Sequence, residues 1–288
     1  MLICCLPGLV GTEDDREQTK VHNAQYPDQA KNTKILNKNV LEWLLGTVQI
    51  PNDDVDTPRP DTYSVAARFV RCLLAPNYTV FSNTCSQSQW IKDHGQDPHH
   101  SHYVVALENP HNAIHLAVGG FYQKGKDGLN ADPIPGANGD MGDNETAGFD
   151  PIFFFHHCFI DYTFSIWQKI NGLTKRGSLS IIKDYPGTIL KEGQPMNFPP
   201  KDHVDLNTPL LPFQLPPDPE RPDPTYYTSV DATDLTELGI AYGPGSFDPI
   251  IEVLPATSGK TAYEIISPHL DGRGDLHKIA GSDPHHHG

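Results

Sequence analysis

The chain has 288 residues and a net charge of −15, from 21 basic and 36 acidic side chains. That charge excludes non-specific binding to nucleic acid or to an anionic membrane surface, and no apolar run approaches the 18 residues a spanning helix needs. Hydrophobic residues, 37% of the total, suffice for a core, while 27 prolines and 24 glycines imply many loops.

The apolar start MLICCLPGLVG lacks a basic leader and is too short for a secretory signal, so a cytoplasmic location is expected. Residues 1–33 are expected to form an N-terminal arm. Within 34–46, Ile35, Val40, Leu41, Leu44 and Leu45 fall at helical spacing, and Gly46 stops the run. A second helix is predicted over 61–75, capped by Asp61 or Thr62, with Val65, Phe69, Cys72 and Leu73 on one face. Residues 84–92 predict a short helix, and His94, His99, His100 and His102 follow in a polar stretch.

The next helix begins near Asn109, a cap, with Pro110 at the first helical position; Gly119 and Gly120 end it. A glycine-rich loop follows over 121–147. Asp150-Pro151 repeats the cap-then-proline signal, and that helix runs to about Asn171 with Gly172 just beyond. Residues 185–258 read as long coil with short strands. The expected organisation is one domain over 34–270 and a flexible tail over 271–288.

The five cysteines, Cys4, Cys5, Cys72, Cys85 and Cys158, are odd in number and form no CxxC pair. Buried free thiols are expected rather than a disulfide framework or a thiolate zinc site.

His111 and His115 are four apart on a predicted helix, about 6 Å from each other on one face. Alone, such a pair is as readily two surface histidines as two metal ligands. His157 sits in DPIFFFHHCFIDY, after an apolar run that predicts a buried helix face. Buried imidazoles need partners, so these histidines are either satisfied in a core or hold a metal. Three from two helices make a three-nitrogen site with an open position, which suits a catalytic ion better than a closed structural one. Asp161, one turn on, is placed to orient a ring.

HNAIH followed by GDMGDNETAGFDPIFFFHHCFIDY resembles the second copper-binding half of tyrosinases, catechol oxidases and haemocyanins. LNKNVLEWLLG, ARFVRCLLAPNYTVFSNT, HLAVGGF and YTSVDATDLTELGIAYGPGSFD resemble the fungal branch, so the resemblance covers about 34–247. It implies a mainly α fold: a helical-bundle metal-site core with long irregular loops and few short strands. It also implies that His111, His115 and His157 are the metal ligands, while His156 faces away and bonds within the protein. Glu108 matches the acidic residue that orients a metal-site water, and Asn112 the polar residue after the first ligand; both are candidate catalytic residues. Their bland readings are a solvated carboxylate and a surface amide.

The family's first histidine triad has no counterpart upstream, where His22 is the only histidine before residue 93. A lone triad favours one redox-inert Zn2+ as Lewis acid, with copper as the alternative. The resemblance then narrows to fungal cyclopenases, which contract a cyclopenin-type benzodiazepinedione epoxide to a viridicatin-type quinolone and release methyl isocyanate. The expected partners are a small aromatic alkaloid substrate, resting on Phe149 and Phe153, and a second copy of the chain covering exposed apolar surface. The rivals are a copper catechol oxidase completed by the histidines of 94–102, a non-catalytic metal-binding remnant, and another Lewis-acid enzyme.

Overall fold

The computed structural model describes residues 37, 40, 41, 44, 64–95, 104–119, 140–142, 144, 146–188, 204–217, 219, 225–254 and 259–269. The described residues are helix-rich. Their only strand-type pairing is an isolated antiparallel bridge between Gln214 and Tyr226, which agrees with the expected mainly α class. None of the described helices is long and apolar enough to cross a membrane. Contacts divide the chain into two compact units. One comprises Met1–Phe69, Glu108–Asp161 and Arg273–Asp275; the other comprises Val70–Leu107, Tyr162–Gly272 and Leu276–Gly288.

The first described elements are α1 (Val65–Cys72), α2 (Tyr78–Ser82), α3 (Thr84–His94) and α4 (Glu108–Gly119). Val65, Phe69, Cys72 and Leu73 are buried as predicted. The cap of α1 is Ser64 rather than Asp61 or Thr62: its hydroxyl oxygen accepts from the Ala67 amide at 3.2 Å and donates to the Leu44 carbonyl at 2.8 Å. Asn77 and Asn83 cap α2 and α3 through their side-chain oxygens. Gly95, at φ 60°, closes α3. His94 lies in the last turn of α3, not in a loop.

Residues 37, 40, 41 and 44 are helical, as predicted. Val40 is buried, but Leu41, expected on the same apolar face, is exposed. Helix α4 starts at Glu108, two residues before the expected first helical position at Pro110, so Asn109 lies inside the helix rather than at its cap and Glu108 lies in its first turn. Asn109 accepts a hydrogen bond from Arg68 at 3.1 Å.

Helix α5 (Ile152–Asn171) follows two short 3-10 turns, Asp140–Gly142 and Ala147–Phe149. Asp150 caps it as predicted, accepting from the Ile152 amide at 3.0 Å, and Gly172 ends it at φ 68°. In the first unit, Val40, Ala117, Val118, Met141 and Ala147 form a buried cluster, with Ile114, Ile152 and Phe153 packed against it. In the second unit, Trp167 is fully buried, stacks on Phe81 at 4.7 Å and donates to the Ala75 carbonyl at 2.9 Å. Gln168 donates to the carbonyls of Leu173 and Thr233.

One helix, α6 (Asp248–Val253), appears inside 185–258, where coil was expected, and α7 (Ala262–Ile266) follows beyond that range. Cys72 is a buried free thiol as expected, while Cys85 and Cys158 are free but exposed. The expected arm over 1–33 and tail over 271–288, with Ile35, Leu45, Cys4 and Cys5, lie outside the described residues, as do His22, His99, His100, His102, His203, His277 and the histidines of 285–287.

Candidate metal centre

Helices α4 and α5 bring four imidazoles together, all within the first unit. Centroids of His111, His115, His156 and His157 lie 4.7–5.4 Å apart in all six pairings. Ring nitrogens of His111, His115 and His156 lie within 4.8 Å of one another. The Nε2 atoms of His111 and His157 are 3.1 Å apart.

The acceptors around the rings assign their tautomers. His111 Nδ1 donates to Asn112 Oδ1 at 2.7 Å, His115 Nδ1 to the Met141 carbonyl at 2.8 Å, and His157 Nδ1 to the Phe153 carbonyl at 2.8 Å. Each Nδ1 carries its proton, so each Nε2 presents a lone pair. At 3.1 Å the Nε2 atoms of His111 and His157 are close enough to share one cation, whether a proton in a hydrogen bond or a metal ion. A donor on one ring nitrogen and a bare lone pair on the other is the arrangement of metal-ligating histidine. The residues therefore fit a metal ion bound through Nε2.

His156 departs from expectation. It does not face away: its ring lies 5.1 Å from that of His111 at an interplanar angle of 21°, and 5.0 Å from that of His115. Its side chain is 7% exposed and its Nε2 has no hydrogen-bond partner. The bonding expected of it within the protein is present, to the His111 backbone.

Burial lowers the pKa values of His111 and His115, and the neighbouring imidazoles push the same way. The hydrogen bonds to Asn112 and Met141 oppose this, as does the negative charge of Glu108 at His111. His156 is pushed down to about 3, first by burial and then by the other three rings. Neutral imidazoles offer lone pairs without competition from protons.

The scaffold explains these positions. Gly119 lies against the backbone of the 3-10 turn after α4, where a Cβ would sit 1.8 Å from the Gly142 amide nitrogen. Only glycine permits that approach, which seats the Met141 carbonyl beside His115. Phe153 packs on the first unit's core and lies 4.0 Å from the His157 ring. Phe149, Phe154 and Phe155 are exposed, so the apolar run before the histidines is not the buried face that the sequence suggested. Asp161 is not among the three Nδ1 partners. Two of those partners, Met141 and Phe153, were missed because they act through backbone carbonyls that carry no residue signature.

Residues 11–170 match the common central domain of tyrosinase. The chain belongs to the tyrosinase family. This tyrosinase-family chain is 47% identical to tyrosinase HcTyr2 of Hahella sp. over 89% of its length, covering 45% of that protein. It is 39% identical to a tyrosinase of Aspergillus oryzae over 72% of its length, covering 40% of that one. The solved tyrosinase from Burkholderia thailandensis at low pH matches 87% of the chain and 44% of that structure, with 48% identity and a TM-score of 0.65. The match is thus not confined to a fungal branch. The chain spans less than half the length of these relatives, so the lack of a first histidine triad within it carries no weight for a mononuclear, redox-silent enzyme.

Proposed function

We propose that the chain supplies one copper site of a tyrosinase-type phenol or catechol oxidase, with the metal on Nε2 of His111, His115 and His157. The observation that carries this is the convergence of imidazoles whose Nδ1 protons are all spent on fixed oxygen acceptors. Kinship with named tyrosinases supports copper over other metals, and nitrogen-rich sites bind copper more tightly than zinc.

Bound copper supplies the redox chemistry. Asn112, the Met141 carbonyl and the Phe153 carbonyl hold the three rings in register, so little reorganisation is needed on binding. Glu108, in the first turn of α4 and one turn before His111, accepts the proton that a phenolic hydroxyl gives up. Phe153, half-buried beside His157, offers an aromatic wall for the substrate ring.

Metal content of protein purified without added metal tests this. Copper bound at one equivalent, and lost in His157→Ala, is expected. Glu108→Gln should keep the metal and lose turnover of catechol by the complete enzyme; unchanged turnover removes Glu108 from the mechanism.

The second reading is a zinc cyclopenase that uses the same three nitrogens as a Lewis-acid site and contracts a cyclopenin-type epoxide to a quinolone. One zinc with negligible copper, together with quinolone formed from cyclopenin, would favour it and overturn the copper assignment. The three exposed phenylalanines beside the site also support a homodimer; a monomeric mass by light scattering would remove it.

A further inference from the structure

We propose that the second unit carries a binding site for a small zwitterion, a free α-amino acid with an aliphatic side chain. The site is a cavity of about 240 Å³, lined by α5 between Ser165 and Lys169 and by residues of 174–175 and 233–242. It is smaller than the roughly 300–1,000 Å³ of a drug-sized site, so it suits a molecule of amino-acid size.

The buried side chains on its wall present acceptors. The Ser165 hydroxyl gives its proton to the Tyr162 carbonyl at 2.7 Å, and the Thr233 hydroxyl gives its proton to the Ser229 carbonyl at 2.8 Å. The Gln168 amide gives both its protons away, to the carbonyls of Leu173 at 3.0 Å and Thr233 at 2.9 Å, which leaves Oε1 for the cavity. Asp234, 5% exposed, is a carboxylate whose Oδ1 accepts from the Thr236 amide at 3.0 Å. These four side chains thus offer oxygen lone pairs and one negative charge, and no proton. An ammonium group, with three donors and a positive charge, is the complement of such a wall.

The exposed side of the cavity has the opposite sign. Lys169 and Lys175 line it, and both are exposed. Lys169 forms no ion pair with a described residue. Lys175 lies 3.5 Å from Asp234, yet 77% of its side chain is exposed, so an arriving ammonium can displace it towards a ligand carboxylate. Leu235, Ile240 and Ala241 add apolar surface, which suits an aliphatic side chain. An amine alone would leave the lysines unanswered, and an acid alone would set its charge against Asp234; a zwitterion answers both.

Equilibrium dialysis of radiolabelled leucine against the full chain tests the site. Saturable binding with a dissociation constant of about 1 mM or tighter is expected. Isocaproate, which lacks the amino group, and isoamylamine, which lacks the carboxylate, should each compete at least about tenfold more weakly than unlabelled leucine. Lys169→Met should weaken leucine about tenfold and leave isoamylamine unchanged, while Ala241→Phe should fill the cavity and abolish both. Both positions are exposed, so Tm should stay constant in each variant. Absence of saturable leucine binding would overturn the proposal, as would isocaproate binding as tightly as leucine. Leucine binding that survives both variants would also overturn it, by placing the amino acid elsewhere, the metal centre included.

Discussion

Helix α5 has two halves of equal length and opposite behaviour. Its first half, 152–161, leaves Phe154 and Phe155 61% and 62% exposed while burying His156. Its second half, 162–171, buries Thr163, Ser165, Ile166, Trp167 and Gln168 almost completely. The buried indole and amide N–H groups of the second half are satisfied: Trp167 donates to Ala75, and Gln168 donates to Leu173 and Thr233. The first half holds a buried nitrogen with no partner. One half is built for stability, and the other keeps unspent lone pairs at a cost to stability, which is what a binding site requires.

If the halves differ in this way, damage to each should read out differently. The largest effect on stability is expected for Trp167→Ala, which opens a cavity and orphans the Ala75 carbonyl. A loss of about 3–5 kcal/mol and a fall in Tm on the order of 10 °C should appear in thermal unfolding. Metal bound per folded molecule should stay constant; a parallel loss of metal would erase the distinction between the halves.

Gly119→Ala attacks the other half. The new Cβ collides with backbone at Gly142 rather than with a pliable side chain, so the Met141 carbonyl must shift away from His115. Metal affinity should drop about 10–100-fold by competition with a chelator, along with a stability loss of roughly 2 kcal/mol or more.

Acid sharpens the comparison. The native His156 titrates near 3 against an ordinary value of 6.5, so the unfolded chain takes up a proton that the native chain refuses. The stability this confers is fully present above pH 6.5 and is lost as pH falls towards 3. Between pH 7 and 5 the metal-free protein should lose on the order of 1–2 kcal/mol from this ring, with His111 and His115 adding to it. A midpoint of chemical unfolding that does not move over this range would contradict a buried neutral cluster.

Asn112→Ala frees the His111 Nδ1 proton from its acceptor and should weaken metal binding about tenfold with little change in Tm. The smallest effect is expected for Asp150→Ala, which removes the α5 cap and costs about 1 kcal/mol in unfolding experiments.

Local signals made much of this legible. The Asp150-Pro151 start and Gly172 stop of α5 follow from short-range backbone chemistry, as does the shared face of His111 and His115. The capping box at α7, Thr261 with Glu264, is an equally local signal. Long-range partners were not legible. The oxygen acceptor for His115 is a backbone carbonyl 26 residues away, and any residue type can offer one. The exposure of Leu41, Phe154 and Phe155 also escaped, because an apolar residue has the same helical spacing whether its face is covered or bare. His156 was placed outside the site by resemblance, whereas its position among three other rings is a matter of helix phase that only coordinates supply.

The contact at Gly119 shows how a residue with no side chain can govern an electronic property of another. Because no methyl group stands at that position, the turn at Asp140–Gly142 closes down until a carbonyl meets one nitrogen of the neighbouring imidazole. That contact decides which of the two nitrogens keeps its hydrogen. The missing carbon thereby acts as a spacer of zero thickness, and the helix end and the turn behave as one mechanical part. Any side chain added at the junction would reach the ring as a rotated lone pair.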